Sequence, residues 1–173
     1  EHPAFSGFIF KIQANMDPRH RDRMAFLRVC SGRFHRDMLV DHARLGRKIR
    51  ITRPHRLFAR EREMLSEAFP GDVVGLVNPG LFAIGDTLST GGPRRFDAVP
   101  RFEPERFAIL RCRSLSRHKQ FHRGLAQLEE GGAIQVLVTA ESTQRDQVLG
   151  AVGELQFDVV VARLAHEYGV GAA

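Results

Sequence analysis

Residues 5–32, FSGFIFKIQANMDPRHRDRMAFLRVCSG, constrain the fold most, because they encode two strands and the turn that joins them. In the first, Phe8, Phe10 and Ile12 alternate with Ile9, Lys11 and Gln13, the two-residue period of a half-buried strand. In the second, Ala25, Leu27 and Val29 share one face. Between them Asn15-Met16-Asp17-Pro18 supplies turn chemistry: the Asp side chain bonds the backbone ahead of it and Pro fixes φ. Past the turn, Arg19, His20, Arg21 and Arg23 surround a single acid, Asp22. Such a hairpin holds positive charge out in solvent, where an anionic partner can reach it.

Short strands separated by turns continue to about residue 90, at 38–43, 48–52, 73–77 and 87–89, with little helical periodicity. The composition of residues 56–68 could support a short helix, but within a barrel a strand and a turn are expected there. Pro70-Gly71-Asp72 and Asn78-Pro79-Gly80 are turn signals. Strands at this spacing suggest a closed β-barrel, which removes exposed edges. Gly91-Gly92-Pro93, followed by Pro100 and Pro104, then breaks the pattern, so a barrel domain is expected over residues 1–92 and a linker over 93–104.

Residues 105–173 follow a different grammar. A strand is expected over 107–112, then a helix with Ser116 as N-cap and Phe121, Leu125 and Leu128 on its apolar face, closed by Gly131-Gly132. A strand pair over 134–138 and 148–152 comes next. A second helix over 153–168 is expected to turn Leu155, Val159 and Ala162 to the core. This β-α-β-β-α order is most of a ferredoxin-like unit, with its last strand starting near Val170. The fold class expected is a β-barrel of the translation-factor second-domain type, followed by an α+β ferredoxin-like domain incomplete at its C-terminus. A chain that opens on Glu1 and closes on Gly171-Ala172-Ala173 reads as a piece of a longer protein.

The segment FKIQANMDPRHRDRMAFLRVCSG resembles the opening of the second domain of the class II peptide chain release factor 3 family, translational GTPases that recycle codon-reading release factors. The likeness continues in PGDVVGLVNPG (70–80), IGDTLS (84–89) and VGELQFDVVVARL (152–164), and so covers nearly the whole chain. The matching barrel of elongation factor G is similar, as is that of its ribosomal-protection relatives, but residues 13–23 favour the release factor. The resemblance implies a ribosome-binding, non-catalytic portion of a factor whose GTP-dependent cycle stimulates dissociation of codon-reading factors at termination. It also implies partners: small-subunit ribosomal RNA for the barrel, ribosomal protein for the α+β domain, the parent's GTPase domain, and codon-reading release factors indirectly. GTP or GDP with magnesium would belong to that GTPase domain. A free-standing RNA-binding module is the alternative of another class, and an enzyme with an unrecognised pocket is a third.

The residues agree with a non-catalytic role. A phosphate-binding loop needs G-x-x-x-x-G-K-[ST], whose Lys neutralises phosphate. Residues 80–87 approach that spacing but place Asp86 where the Lys must be, and a carboxylate there repels phosphate. Asp72-Val73-Val74-Gly75 matches the loose D-x-x-G pattern, and no Asn-Lys-x-Asp follows for guanine. Neither cofactor nor catalytic residue is expected in this chain. His118 and His122 could share a helix face, but no third ligand lies near and Arg117, Lys119 and Arg123 would repel a cation, so no metal is expected. Glu129-Glu130 diverge on a helix and read as solvated charges near its end. Cys30 and Cys112, the only cysteines, read as buried free thiols of a reducing compartment, which points to the cytoplasm. No apolar run approaches the roughly 20 residues that span a bilayer, so no membrane partner is expected.

Net charge is +6, carried almost entirely by arginine, since Lys11, Lys48 and Lys119 are the only lysines. The planar guanidinium fork suits phosphate and stacks on bases. Three clusters stand out: Arg19, His20, Arg21 and Arg23; Arg44, Arg47, Lys48, Arg50, Arg53 and Arg56; and Arg111, Arg113, Arg117, Lys119 and Arg123. The candidate RNA-binding residues are Arg19, His20, Arg21, Arg23, Arg47, Lys48, Arg50, Arg117 and Lys119, making sequence-independent contacts to the phosphate backbone.

Overall fold

The computed structural model describes residues 3–14, 23–58, 61–138 and 146–173. The turn carrying Arg19, His20 and Arg21 lies outside these. The chain divides into two compact units, Glu1–Val99 and Pro100–Ala173.

In the first unit β1 (Ser6–Ala14) and β2 (Arg23–Ser31) pair antiparallel from Ala14 opposite Arg23 to Ser6 opposite Ser31. A bulge between Ile9 and Lys11 breaks the alternation read from the sequence. It lets Ile9 and Ile12 both enter the core while Phe10 turns outward, because an extra residue shifts which side chains share a face. On β2 the expected face of Ala25, Leu27 and Val29 is buried. Cys30 falls on the opposite face and is exposed, so of the two thiols only Cys112 is buried.

Eight further strands follow: β3 (Phe34–His35), β4 (Leu39–His42), β5 (Arg47–Arg50), β6 (Pro54–Phe58), β7 (Glu61–Met64), β8 (Glu67–Ala68), β9 (Val73–Asn78) and β10 (Thr87–Ser89). An eight-stranded antiparallel sheet runs in the order β5-β4-β10-β1-β2-β9-β6-β7, with β3 and β8 as a separate ribbon. Among the described residues the ladder ends at β5 and β7, so the sheet wraps its core as a half-barrel instead of joining edge to edge. Ile9, Leu27, Phe34, Val40, Val74 and Leu88 fill that core, and Phe5 packs on Phe34 at 5.7 Å. Burying such side chains is the main favourable contribution to folding, about 1.5–3 kcal/mol each.

The segment after β10 is strapped to the sheet. Ser89 Oγ donates to Gly92 O at 2.9 Å and accepts from Arg94 N at 3.2 Å. The Phe96 amide donates to Thr87 Oγ1 at 3.0 Å, and the Phe96 ring meets Phe8 edge-on at 6.0 Å.

The second unit holds β11 (Arg106–Arg111), a 3-10 turn (Leu115–Arg117), α1 (His118–Glu130), β12 (Gln135–Leu137), β13 (Asp146–Ala151) and α2 (Leu155–Tyr168). Its sheet order β11-β13-β12 leaves one side of β11 open, where Ala172 bridges Cys112 and Arg111 exchanges backbone hydrogen bonds with Ala173 at 2.8 and 3.1 Å. That is the position of the fourth strand in a ferredoxin-like sheet. Phe121, Leu125 and Leu128 of α1 face Val160 and Leu164 of α2, and Gly124 lets the helices approach: a Cβ there would sit 2.6 Å from Leu164 Cδ2.

Two expectations fail here. Ser116 does not cap α1; the helix starts from Arg117 with no side-chain cap, and Ser116 Oγ lies 2.9 Å from Ser114 Oγ instead. The buried stripe of α2 is Val160 and Leu164 with Phe157, Val161 and Tyr168 packed beside them, while Leu155 and Val159 are exposed. The helix carries two apolar stripes on opposite sides, and periodicity alone does not choose between them.

The turn after β2 depends on Gly32. Its φ is +64°, and a Cβ would fall 2.4 Å from Pro3 O and 2.6 Å from Phe5 N. Backbone atoms cannot give way as a flexible side chain can. Gly32→Ala is expected to lower stability by about 2 kcal/mol or more, read as a fall in the urea midpoint by circular dichroism; an unchanged midpoint would contradict the close approach.

Candidate nucleic-acid interface

β5 is an edge strand, and three of its four residues, Arg47, Lys48 and Arg50, are exposed cations. Pairing with β4 sets Lys48 opposite Asp41 and Arg50 opposite Leu39. The turn preceding β4 contains Asp37 at φ +64°, whose amide donates to Ile51 O at 2.7 Å and whose carbonyl accepts from Arg50 Nη1 at 2.8 Å. This bond aims one guanidinium. Arg53, just beyond β5, is also exposed. Among the described residues no ion pair engages Arg47, Lys48 or Arg53.

Beside this edge opens a cavity of about 250 Å³, with Arg50, Thr52 and Arg53 on one side and Leu76, Leu81 and Phe82 on another. Its far wall is the loop from Asn78 to Asp86, which is held from several directions. Asn78, 2% exposed, donates from Nδ2 to Phe82 O at 2.9 Å and accepts from the amides of Gly80 and Phe82 at 2.9 and 3.0 Å. Gly85 N donates to Ile9 O, and Ile9 N to Asp86 O, at 2.8 and 2.9 Å, tying the loop to β1.

Asp86 is the loop's main anchor. Its carboxylate, 2% exposed, accepts from Arg44 Nε at 2.6 Å, Arg44 Nη2 at 2.9 Å and Ala83 N at 2.7 Å. Arg44 Nη2 also donates to Leu81 O at 2.9 Å, so one guanidinium clamps both ends of the loop. His42 is fully buried, stacked on Phe82 with ring centroids 6.0 Å apart. Its Nδ1 accepts from Leu45 N at 3.4 Å, which leaves the proton on Nε2, 3.1 Å from Asp86 Oδ2. That contact is off the N–H axis and acts electrostatically, not as an aligned hydrogen bond.

Burial alone raises the Asp86 pKa, but the hydrogen bonds from Arg44 and from the Ala83 amide outweigh it and hold the carboxyl below its ordinary value. For His42, burial is the largest effect and pushes the imidazole below its usual value, against the opposing attraction of Asp86.

The expected RNA-binding residues separate in space. Arg19, His20 and Arg21 lie outside the described residues. Arg23 begins β2, half-buried, opposite Asn78 of β9. Arg47, Lys48 and Arg50 stand together on β5. Arg117 and Lys119 are exposed on the second unit, at the end of the 3-10 turn and in the first turn of α1. Arg44 and Arg111, members of the sequence clusters, are neutralised by Asp86 and by Asp146, the latter through contacts of 2.7 and 3.0 Å. His118 and His122 bring their Nε2 atoms within 3.2 Å of each other, and among the described residues no third ligand joins them. Sequence reasoning left Arg53 out of the candidate set and missed the cavity and the Asp86 clamp. Asp86 was visible as a carboxylate at the place where a phosphate-binding loop needs Lys, but its partner Arg44 is 42 positions away.

Two family models tile the chain. Residues 4–91 match elongation factor G domain 2, and residues 96–173 match the C-terminal domain of the class II release factor RF3. The chain belongs to the class II release factor family. Proteins named peptide chain release factor 3 are 56% identical to it over 169 residues in Nostoc punctiforme, 56% over 170 in Synechococcus elongatus and 57% over 166 in Gloeobacter violaceus. These alignments cover 96–98% of this chain but 31% of each relative, so the chain spans about a third of their length. A crystal structure from Thermus thermophilus is similar in fold at 21% identity, with a TM-score of 0.81 over 99% of this chain and 26% of its own. The resemblance read from residues 10–32, 70–80, 84–89 and 152–164 thus names the family correctly. Among the described residues no helix is long and apolar enough to cross a membrane.

The His42 shift carries a sign. A depressed folded pKa makes the neutral ring a stabilising group above the unfolded value near 6.5, a contribution lost as pH falls through that value towards the folded pKa. The stability difference between the native chain and a His42→Gln variant is therefore expected to shrink as pH falls below about 6.5. A difference that is constant from pH 7.5 to 5 in urea titrations would contradict a neutral buried His42. Asp86→Ala, which strands the Arg44 guanidinium and the Ala83 amide, is expected to cost about 2–4 kcal/mol in the same assay at pH 7.

Proposed function

We propose that this chain is the ribosome-binding, non-catalytic part of a class II release factor and that the basic edge formed by Arg47, Lys48 and Arg50 grips small-subunit ribosomal RNA. In the parent, a GTP-dependent cycle stimulates dissociation of codon-reading release factors at termination. The second unit bears on ribosomal protein, and the GTPase domain supplies nucleotide and magnesium chemistry in the cytoplasm. The observation that carries the reading is the tiling of the chain by a barrel of the elongation factor G type and a release-factor C-terminal domain, neither of which is a nucleotide-binding domain.

The geometry supports it in two ways. Asp86, at the position where a phosphate-binding loop requires Lys, is committed to Arg44 and the Ala83 amide and lies buried. It repels phosphate and is the structural anchor of its loop. The cations of β5, in contrast, are solvated and project from a sheet edge, which suits polyanion contact and also discourages edge-to-edge aggregation. Both roles favour charge at this strand. The Arg50 guanidinium, restrained by the Asp37 carbonyl, is held at this edge where an anion can meet it.

Two units joined through the linker over residues 93–104 would anchor the factor and transmit the nucleotide state of the missing domain to the ribosome. The chain alone is expected to turn over no GTP. In the full-length factor, replacing Arg47, Lys48 and Arg50 together by Ala is expected to weaken ribosome binding and to reduce the slope of log affinity against log salt by about 2. Unchanged affinity and slope would remove these residues from the interface.

A further inference from the structure

We infer that the cavity beside β5 receives one unstacked base of a single-stranded RNA segment, while Arg50 and Arg53 hold the flanking phosphates. The inference rests on the reading of this edge as an RNA-binding surface and adds to it a defined subsite and a ligand conformation.

The chemistry of the walls selects the ligand. Leu76, Leu81 and Phe82 are apolar, and Thr52 lines the same space. Arg50 and Arg53 border the same space, and no acid lines it. An apolar slot bordered by cations fits a flat ring attached to an anionic backbone. A volume of about 250 Å³ exceeds what a few waters need and leaves room for a planar ring. A phosphate alone would leave the apolar walls unused, and an aliphatic side chain would leave the guanidiniums unused. Single-stranded RNA is recognised in this manner, by unstacked bases seated against aromatic or guanidinium planes.

The cavity is also rigidly built. The Asn78 side chain fixes the Phe82 backbone, Arg44 fixes Leu81 O, and the His42 ring backs the Phe82 ring. Asp37 O restrains Arg50 on the opposite side. A wall held this way does not collapse into the empty slot, so little ordering is needed when a base enters.

The test uses this chain with a fluorescein-labelled uridylate decamer and a matched decamer that carries abasic ribose at every position. Equal charge and length isolate the contribution of the bases. Anisotropy titrations at low salt are expected to show the uridylate binding about tenfold more tightly. Thr52→Trp, which fills the mouth of the cavity from an exposed position, is expected to bring the two affinities together without shifting the thermal midpoint. Equal affinity of the native chain for both decamers, with ordinary salt dependence, overturns the base subsite and leaves the RNA-binding reading intact. A preference for uridylate that persists in Thr52→Trp also overturns it. Failure of both decamers to bind overturns the subsite and the reading together. An acidic peptide containing Phe that binds more tightly than the uridylate at equal charge replaces RNA with a protein partner.

Discussion

A carboxylate taken out of water must be matched by donors at once, and Asp86 is the residue around which the loop beside β5 is arranged. Arg44 meets it with two nitrogens, the Ala83 amide with a third contact, and His42 closes the remaining side. Because Arg44 also holds Leu81 O, the carboxylate fixes a loop and not merely a point. The cluster links β4, which supplies His42, to the loop between β9 and β10, and so joins distant parts of the sheet. Half of the Arg44 side chain remains in solvent, which lowers the desolvation cost that a fully buried pair would carry.

The half-barrel gives that cluster its consequence. Its ladder ends at β5, and the cations along this end are carried by a strand whose outer hydrogen-bonding side is unoccupied among the described residues. The hydrophobic cluster beneath is apolar, and the buried Asp86 carboxylate is neutralised by Arg44, so the unpaired charge lies at the rim. Where the chain leaves β5 at Ile51 and passes Leu76 and Phe82, the rim dips into the cavity. Fold, charge and cavity therefore meet at one place for a single reason: the sheet stops there.

Much of this architecture was legible in the residues. Turn signals at Pro70-Gly71-Asp72 and Asn78-Pro79-Gly80 bracket β9, and Phe121, Leu125 and Leu128 set the buried face of α1 without a competing stripe. The bulge at Phe10 was hidden because Phe8, Ile9 and Phe10 are all apolar, so either register satisfies the local pattern. In α2 the same ambiguity chose the wrong face. Glu129, which reads as a solvated charge near a helix end, accepts from the Val136 amide at 2.9 Å and helps to fix β12. The Asp86 clamp was illegible for a different reason: ion pairs between residues 42 positions apart leave no periodic trace. Basic clusters were visible as composition, but only the coordinates separate Arg44 and Arg111, which serve the structure, from Arg47, Lys48 and Arg50, which face solvent.

The most direct test is to ask what lies next to β5 on the ribosome. In a full-length factor with Cys30 and Cys112 replaced by Ser, a hydroxyl-radical probe tethered through Lys48→Cys would be bound to ribosomes and the cleaved RNA mapped. The account predicts cleavage within small-subunit ribosomal RNA from this position, abolished by salt that releases the factor. Factor that stays bound while the tether at position 48 leaves small-subunit RNA intact would contradict it.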